Sequence, residues 1–436
     1  MKSGFFSSIL HLSLFLFFYQ GHLCALCPHR GFCAVSLCKD ALVFIPAKPV
    51  YYGYSNQQNA PQKTAVLCDT GKGEFIMARV YNFSAGPSML PEKVLKQAQA
   101  ELLEYGDSGQ SVMEMSHRSK WFDAIIKDTE ATLRRVMNIP DNYKVGFFQG
   151  GATQQFAAIP MNLMQNKKAD YIVSGSWSKK AWKEAKLYGE ARCVASSEDE
   201  NFSYVPDVAG LEFDPEADYV YICQNETIYG TTYHTLPETG DIPLVTDVSS
   251  MFLSEPMDVS KFGLIYGGVQ KNIGPAGVTI VIVRDDLVRE DVLPFTPTIM
   301  RYTTQAKAKS LSNTPPAYGI YICGLVFKWL KEMGGLSAMA ERNKEKAAIL
   351  YDYLDQSKLF RGTARKEDRS LMNVPFVTGS DELDALFVAE AKSHGIESIK
   401  GHRSVGGMRA SIYNAMPKAG VEALVAFMAE FEKNNG

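Results

Sequence analysis

The regular patterning of apolar and polar positions begins near Tyr81 and runs to the C-terminus. PEKVLKQAQAELLEY carries a proline in its first turn and spaces Val94, Leu95, Ala98 and Leu102 at helical intervals, which predicts a helix. GDSGQSVMEMSHRS then reads as a polar loop and KWFDAIIKDTEATLRRVMN as a second helix. From Lys144 short apolar runs alternate with helical ones: KVGFFQ, GATQQFAAIPMNLM, ADYIVSG, SKKAWKEAKLYG, RCVAS, DYVYICQNET and PLVTDV. Such alternation predicts an α/β fold, a mostly parallel sheet flanked by helices with ligands at the carboxyl edge of its strands. TPPAYGIYICGLVFKWLKEMGGLSAMAERNKEKAAILYDYLDQ reads as helical with a break at Gly334 and Gly335, the place for a joint between domains. SLMNVPFVT, DELDALFVAEAKSHG, GMRASIYN and a last helix from Lys418 follow as a smaller α/β unit.

FGLIYGGVQKNIGPAGVTIVIV, from Phe262 to Val283, reads as two buried strands joined by a small-residue turn that holds Lys271. Gly267, Gly268, Gly274, Pro275, Ala276 and Gly277 let backbone approach a bulky ligand there. A lysine at the end of a buried strand loses solvation, which lowers its pKa and frees the neutral amine as a nucleophile. Alone, it could equally be a loop lysine with its head in water. IPLVTDVSS adds a second group, because that strand ends in Asp247 at the same sheet edge. A lysine and a carboxylate so placed are what pyridoxal phosphate requires, one to hold its aldehyde as a Schiff base and one to keep its ring nitrogen protonated.

Other candidates surround this pair. QGGATQQF opens a helix after a strand, so the amides of Gly151, Ala152 and Thr153 offer an anion site. No GK[ST] follows, which excludes a nucleotide P-loop. Trp177 follows a strand at the same edge, where its indole could stack on a pyridine ring or pack a helix onto the sheet. Thr227 ends the strand DYVYICQNET and could bond a cofactor, while Asn225 and Glu226 could organise the turn. His117 with Arg118, and His402 with Arg403, are loop pairs that could grip a phosphate or simply be solvated. Arg409 lies between apolar strand residues and should be paired with an anion such as a substrate α-carboxylate.

Composition narrows the class. With 436 residues, 46% hydrophobic, 21% charged and a net charge of -3, the chain is globular and gives no support to nucleic-acid binding. Lys2 followed by an apolar run, with no acidic residue from Met1 to Lys39, is leader composition. The run is interrupted by His11 and Ser13 and is shorter than the roughly 20 residues of a membrane-spanning helix, so no stable membrane insertion is expected. From Cys24 to Ile76 no helical or strand period is seen, and this part is not expected to join the fold. Two readings stay open: a leader routing the chain to an organelle, with composition like the two-part leaders of algal plastids, or a cytoplasmic enzyme starting at Met77. Five cysteines lie in the leader, and Cys193, Cys223 and Cys323 sit in apolar elements, which argues for a reducing compartment and against disulfides. The loop within Cys24 to Cys38 is too short for a zinc ribbon, and no metal site is expected.

NFSAGPSMLP, SHRS, QGGATQQFAAIPMNL, NETI, VTDVSS, QKNIGPAG, NTPPAYGIYICGLVFKWL and GHRSVGGMRASIYNAMP together resemble the phosphoserine aminotransferase family, in the class V branch of fold-type I pyridoxal phosphate enzymes. The resemblance runs from about Tyr81 to the C-terminus. The span 1–76, a targeting leader or disordered extension, falls outside it, and the resemblance implies a large cofactor-binding domain over 92–330 and a small domain from 80–91 and 331–436. It implies a homodimer with sites at the interface, binding pyridoxal 5'-phosphate and moving an amino group between L-glutamate and 3-phosphooxypyruvate. The products would be O-phospho-L-serine and 2-oxoglutarate, a step of serine biosynthesis. Lys271 would be the Schiff-base lysine, Asp247 the partner of the ring nitrogen and Trp177 the stacking residue. Thr227, Gln270, Ala152 and Thr153 would contact the cofactor, and Asn313 and Thr314 its phosphate from the neighbouring subunit. Arg409 would take the substrate carboxylate, and His117, Arg118, His402 and Arg403 the distal phosphate or carboxylate. Some members carry arginine in place of Thr153 and serine in place of Ala85. A class V desulfurase would need a mobile cysteine, which the body does not offer, and a membrane-tethered phosphate binder would show no cofactor absorbance.

Overall fold

In the computed structural model, residues 79–436 are described throughout, and within 1–78 only six short strands are. The chain divides into two units, Met1–Ala78 and Arg79–Gly436. In the first, Phe15–Tyr19, His22–Leu26, Cys33–Cys38 and Ala41–Phe44 pair in consecutive antiparallel order, and Leu67–Asp69 pairs with Phe75–Met77. The absence of a strand period expected between Cys24 and Ile76 is thereby corrected. CAVSLC and ALVF carry apolar and β-branched residues, and short connections favour antiparallel neighbours.

The second unit is built on seven strands: β1 (Tyr143–Gln149), β2 (Lys168–Val173), β3 (Glu190–Ser196), β4 (Val220–Cys223), β5 (Leu244–Asp247), β6 (Leu264–Gly268) and β7 (Val278–Arg284). Their order is β3-β2-β4-β5-β6-β7-β1. From β3 to β6 all pairs are parallel, and β7 runs antiparallel to both β6 and β1. Burial on both faces explains the unbroken apolar runs. Ile265 packs into one core cluster while its neighbours Leu264 and Tyr266 pack into the other. Helices α1 (Glu92–Ala100), α2 (Lys120–Met137), α3 (Thr153–Leu163), α4 (Ser176–Ala185) and α5 (Ala317–Glu332) surround this sheet. α2 and α5 supply the first cluster, through Phe122, Leu133, Ile320 and Phe327, and α3 and α4 the second, through Phe156, Ile159 and Ala181.

A third cluster gathers Phe83, Leu350, Phe376, Phe387, Met408 and Leu424. Its elements are α6 (Gly335–Gln356), β8 (Arg361–Gly362), β9 (Asn373–Val377), α7 (Asp381–Ala391), β10 (Met408–Ser411) and α8 (Lys418–Asn435), with the short strand Tyr81–Asn82 paired to Ile396–Glu397. The helical stretch does break at Gly334 and Gly335, both at positive φ, where glycine carries no Cβ penalty. Two sequence expectations need correction. α1 stops at Ala100, because the Glu101 carboxylate turns to the Tyr321 hydroxyl and Leu103 is 86% exposed, so the apolar face does not continue. β4 stops at Cys223, and Thr227 lies in the turn of a hairpin pairing Asn225–Glu226 with Thr231–Thr232, closed by Gly230 at φ 70°.

Candidate active site

The parallel strands deliver their carboxyl ends to one edge, where Cys223 registers with Asp247 and Asp247 with Tyr266. Lys271 stands three residues beyond β6 on that edge. Its Nζ lies 2.6 Å from the Thr227 Oγ1 and 5.2 Å from the centre of the Trp177 ring. Burial pushes the Lys271 amine below the ordinary lysine range, against the raising influence of Asp247, Cys223 and Glu226, while Arg409 adds to the lowering. The main chain around it is clamped: Ser88 donates from its hydroxyl to the Lys271 carbonyl and from its N–H to the Gln270 carbonyl at 3.1 Å. Gly86 is required at this contact, since its φ is +139° and a Cβ there would stand 3.1 Å from Lys271 Cγ.

Asp247 is 5% exposed, and its Oδ1 accepts from the Ser249 N–H at 2.8 Å. Gln270 folds back along the β6 end, where a Cβ on Gly268 would meet its Oε1 at 2.6 Å. At the start of α3 the Ala152 cap has no side-chain hydrogen bond, and among the described residues the amides of Gly151, Ala152 and Thr153 donate to nothing. Three free amides at a helix N-terminus favour an anion. Arg409, on β10, reaches the Thr227 turn beside Lys271, with Nη1 donating to the Thr227 carbonyl at 3.3 Å and its buried Nε unpartnered. His402 bonds Ser404 Oγ through Nδ1 at 2.6 Å, and burial followed by the charges of Arg409, Arg403 and Lys180 holds its pKa below the usual value.

Trp177 is oriented by a residue whose role the sequence left open. Glu226 is 1% exposed and accepts from the N–H groups of Trp177 at 3.3 Å and Ser178 at 3.0 Å, and from Ser178 Oγ at 2.7 Å. It therefore caps α4, whose own N-cap, Gly175, has no side chain to offer. Burial raises the Glu226 pKa, and the bonds from Ser178 and Trp177 hold it back. The signal available was a helix beginning GSWS with no capping side chain before it. The indole Nε1 of Trp177 is buried without a partner, and Lys180 Nζ lies 4.4 Å from the ring centre.

Lys271, Asp247, Trp177, Thr227, Gln270, Ala152, Thr153, Arg409, His402 and Arg403 are thus found on or beside one edge. Four other residues do not bond to this group within the chain. Arg118 is exposed and His117 Nε2 is buried without a partner. Asn313 and Thr314 are exposed, and Asn313 reaches only Gln149 Oε1, at 3.4 Å, besides its neighbours.

Residues 80–424 match the family model described as aminotransferase class V, and the chain belongs to that family. A phosphoserine aminotransferase of Bacillus cereus is 54% identical over 360 residues, covering 82% of this chain and all of the relative. One of Nitrosomonas europaea is 54% identical over 367 residues with the same coverage. Among solved structures, phosphoserine aminotransferase from Bacillus circulans subsp. alkalophilus superposes with a TM-score of 0.80 at 47% identity, covering 82% of this chain and 99% of that one. The Trichomonas vaginalis enzyme, solved with its pyridoxal phosphate bound, gives 0.77 at 40% identity over 80% of this chain and 100% of that one. These relatives within class V are phosphoserine aminotransferases.

Proposed function

We propose that the protein moves the amino group between L-glutamate and 3-phosphooxypyruvate, giving O-phospho-L-serine and 2-oxoglutarate, with pyridoxal 5'-phosphate held at the Lys271 edge. The observation that carries this is the meeting of a desolvated amine, a buried strand-end carboxylate and an arginine at one sheet edge. The residues fit the cofactor. Lys271 would bind its aldehyde, Asp247 its ring nitrogen and Thr227 its phenolic oxygen. The unused amides before α3, and Asn313 and Thr314 of a second copy, would hold its phosphate. The partnerless indole N–H of Trp177 belongs to a ring able to cover one face and exclude water.

Pyridoxal phosphate, when bound, supplies an electron sink for the pair left on the substrate α-carbon. The chain supplies the rest. Lys271 Nζ, whose pKa burial lowers, would take the proton from that α-carbon. Asp247 would keep that cofactor's ring nitrogen protonated. Arg409 grips the α-carboxylate common to both substrates, and His402 and Arg403 receive the distal anion, with His117 and Arg118 added across a dimer interface. Arg409→Leu should raise KM for glutamate and for the keto acid alike, roughly 10–100-fold for loss of a charged hydrogen bond pair. Arg403→Leu should weaken the phosphorylated partner more than glutamate. Equal losses from both variants on both substrates would reject this division.

The homodimer is supported by two large apolar side chains left in solvent, Leu103 and Met113 at 86% and 65% exposure. Full activity from a species that sediments as a single chain would rule it out. The acid-poor span before Asp40, and relatives covered in full by 82% of the chain, support a leader to an organelle of plastid type, with a cytoplasmic enzyme from Met77 as the alternative. The mass of the native N-terminus decides: a mature chain retaining the residues before Asp40 would exclude a cleaved leader.

A further inference from the structure

Three successive main-chain carbonyls lie a short way past Asp247, and each is taken by an asparagine from a different element. Asn272 Nδ2 donates to the Phe252 carbonyl at 2.7 Å, Asn414 Nδ2 to Leu253 at 2.8 Å and Asn343 Nδ2 to Ser254 at 3.0 Å. The asparagines also bond one another. The Asn414 N–H donates to Asn272 Oδ1 at 2.9 Å, and Asn343 Nδ2 to Asn414 Oδ1 at 2.8 Å. All three are buried, at 6% exposure for Asn272 and Asn414 and 0% for Asn343. One turn along α6 from Asn343, the buried Lys346 Nζ donates to the carbonyls of Ile412, Tyr413 and Met416 at 3.0, 2.8 and 3.2 Å.

The elements joined are those that carry the proposed chemistry. Asn272 is the residue after Lys271, the accepting carbonyls continue the segment that leaves Asp247, and Asn414 lies in the turn that follows β10, the strand of Arg409, three residues past its end. Tyr413, in the same turn, donates to the Ala85 carbonyl at 2.8 Å, in the loop that carries Gly86 and Ser88 to Lys271. Apolar side chains could fill this space without the cost of desolvating amides. What a mutually bonded polar cluster adds is one defined geometry.

We propose that Asn414 is a positioning residue that fixes the Arg409 guanidinium relative to the Lys271 amine, and so sets how well the α-carboxylate of either substrate is held. The inference rests on the reading of Arg409 as the carboxylate ligand. A displacement of about 1 Å at such a contact is enough to cost up to about 100-fold.

The test is a double-mutant cycle on the cofactor-loaded enzyme, read by calorimetric binding of glutarate, an unreactive dicarboxylate, and by KM and kcat for both substrates. Asn414→Ala should weaken glutarate and raise both KM values by a common factor, roughly 10–100-fold, with the visible absorbance of the bound cofactor retained. In an Arg409→Leu background the same change should add less than about twofold, since residues acting through one contact are not additive. Additive losses, or a lowered melting temperature with glutarate binding and KM unchanged, overturn the proposal. Should Asn414→Ala fail to fold, Asn343→Ala removes the donor to Asn414 Oδ1 and carries the same cycle, with non-additivity supporting the proposal and additivity overturning it. If Arg409→Leu alone binds glutarate normally, the reading of Arg409 fails and the proposal with it, an outcome distinct from additivity.

Discussion

Lys271→Ala is expected to abolish turnover and the visible absorbance of the bound cofactor together. Proton transfer by a positioned base contributes roughly 10²–10⁴-fold on its own, and the variant also loses its covalent hold on the aldehyde. Among the described residues no second amine is placed to substitute: the exposed Lys180 lies against the Trp177 ring, whereas Lys271 is the lysine that reaches Thr227. The sign of the pH effect follows from burial. A lysine whose folded pKa lies below its unfolded value sheds its proton at a lower pH than its exposed counterparts. In the cofactor-free protein, aldehyde capture should therefore persist at pH values where exposed lysines have stopped reacting. The same shift means that the unfolded chain binds more protons between the two pKa values, so this group's contribution to stability improves as pH rises through that window. Stopped-flow absorbance on wild type and variant provides the check. A variant that transaminates within tenfold of wild type would show that the α-proton is handled elsewhere.

Much of this edge was legible from the chain alone, because strand ends announce themselves. VTD closes a buried strand with Asp247 itself and YGGVQK places Lys271 three residues beyond another, and parallel order brings them to one rim. Residues that act from far away in sequence were not legible. Glu226 caps a helix 48 positions upstream, and Asn414 meets Leu253 across 161. Neither contact leaves a periodicity. Thr227 was placed at a strand end, but Gly230 folds that segment into a hairpin whose turn brings the hydroxyl to Lys271. His117, Arg118, Asn313 and Thr314 carry motif signals, yet none of their side chains bonds to Lys271, Asp247, Thr227 or Arg409 within the chain.

Asp247→Asn should leave a folded protein that still takes up cofactor but turns over roughly 10²–10³-fold more slowly, the loss typical of removing one preorganised electrostatic partner. The substitution keeps volume and shape. Asn can still present an oxygen to the Ser249 N–H, so the end of β5 need not move. What disappears is the negative charge, and among the described residues no other carboxylate accompanies Arg409, Thr227 and Lys271 except Glu226, whose oxygens are committed to the start of α4. Glu226 therefore cannot take over at the ring nitrogen without uncapping the helix that carries Trp177. A second consequence concerns Lys271. Asp247 is the foremost of the groups that raise its pKa against burial, so removing that charge should move the amine's titration still lower. Slow turnover combined with a downward shift in the pH at which Lys271 captures an aldehyde would place Asp247 in both roles. Unchanged turnover, or a fall that tracks only a lower melting temperature, would remove it from the chemistry and leave it as the residue that closes a strand.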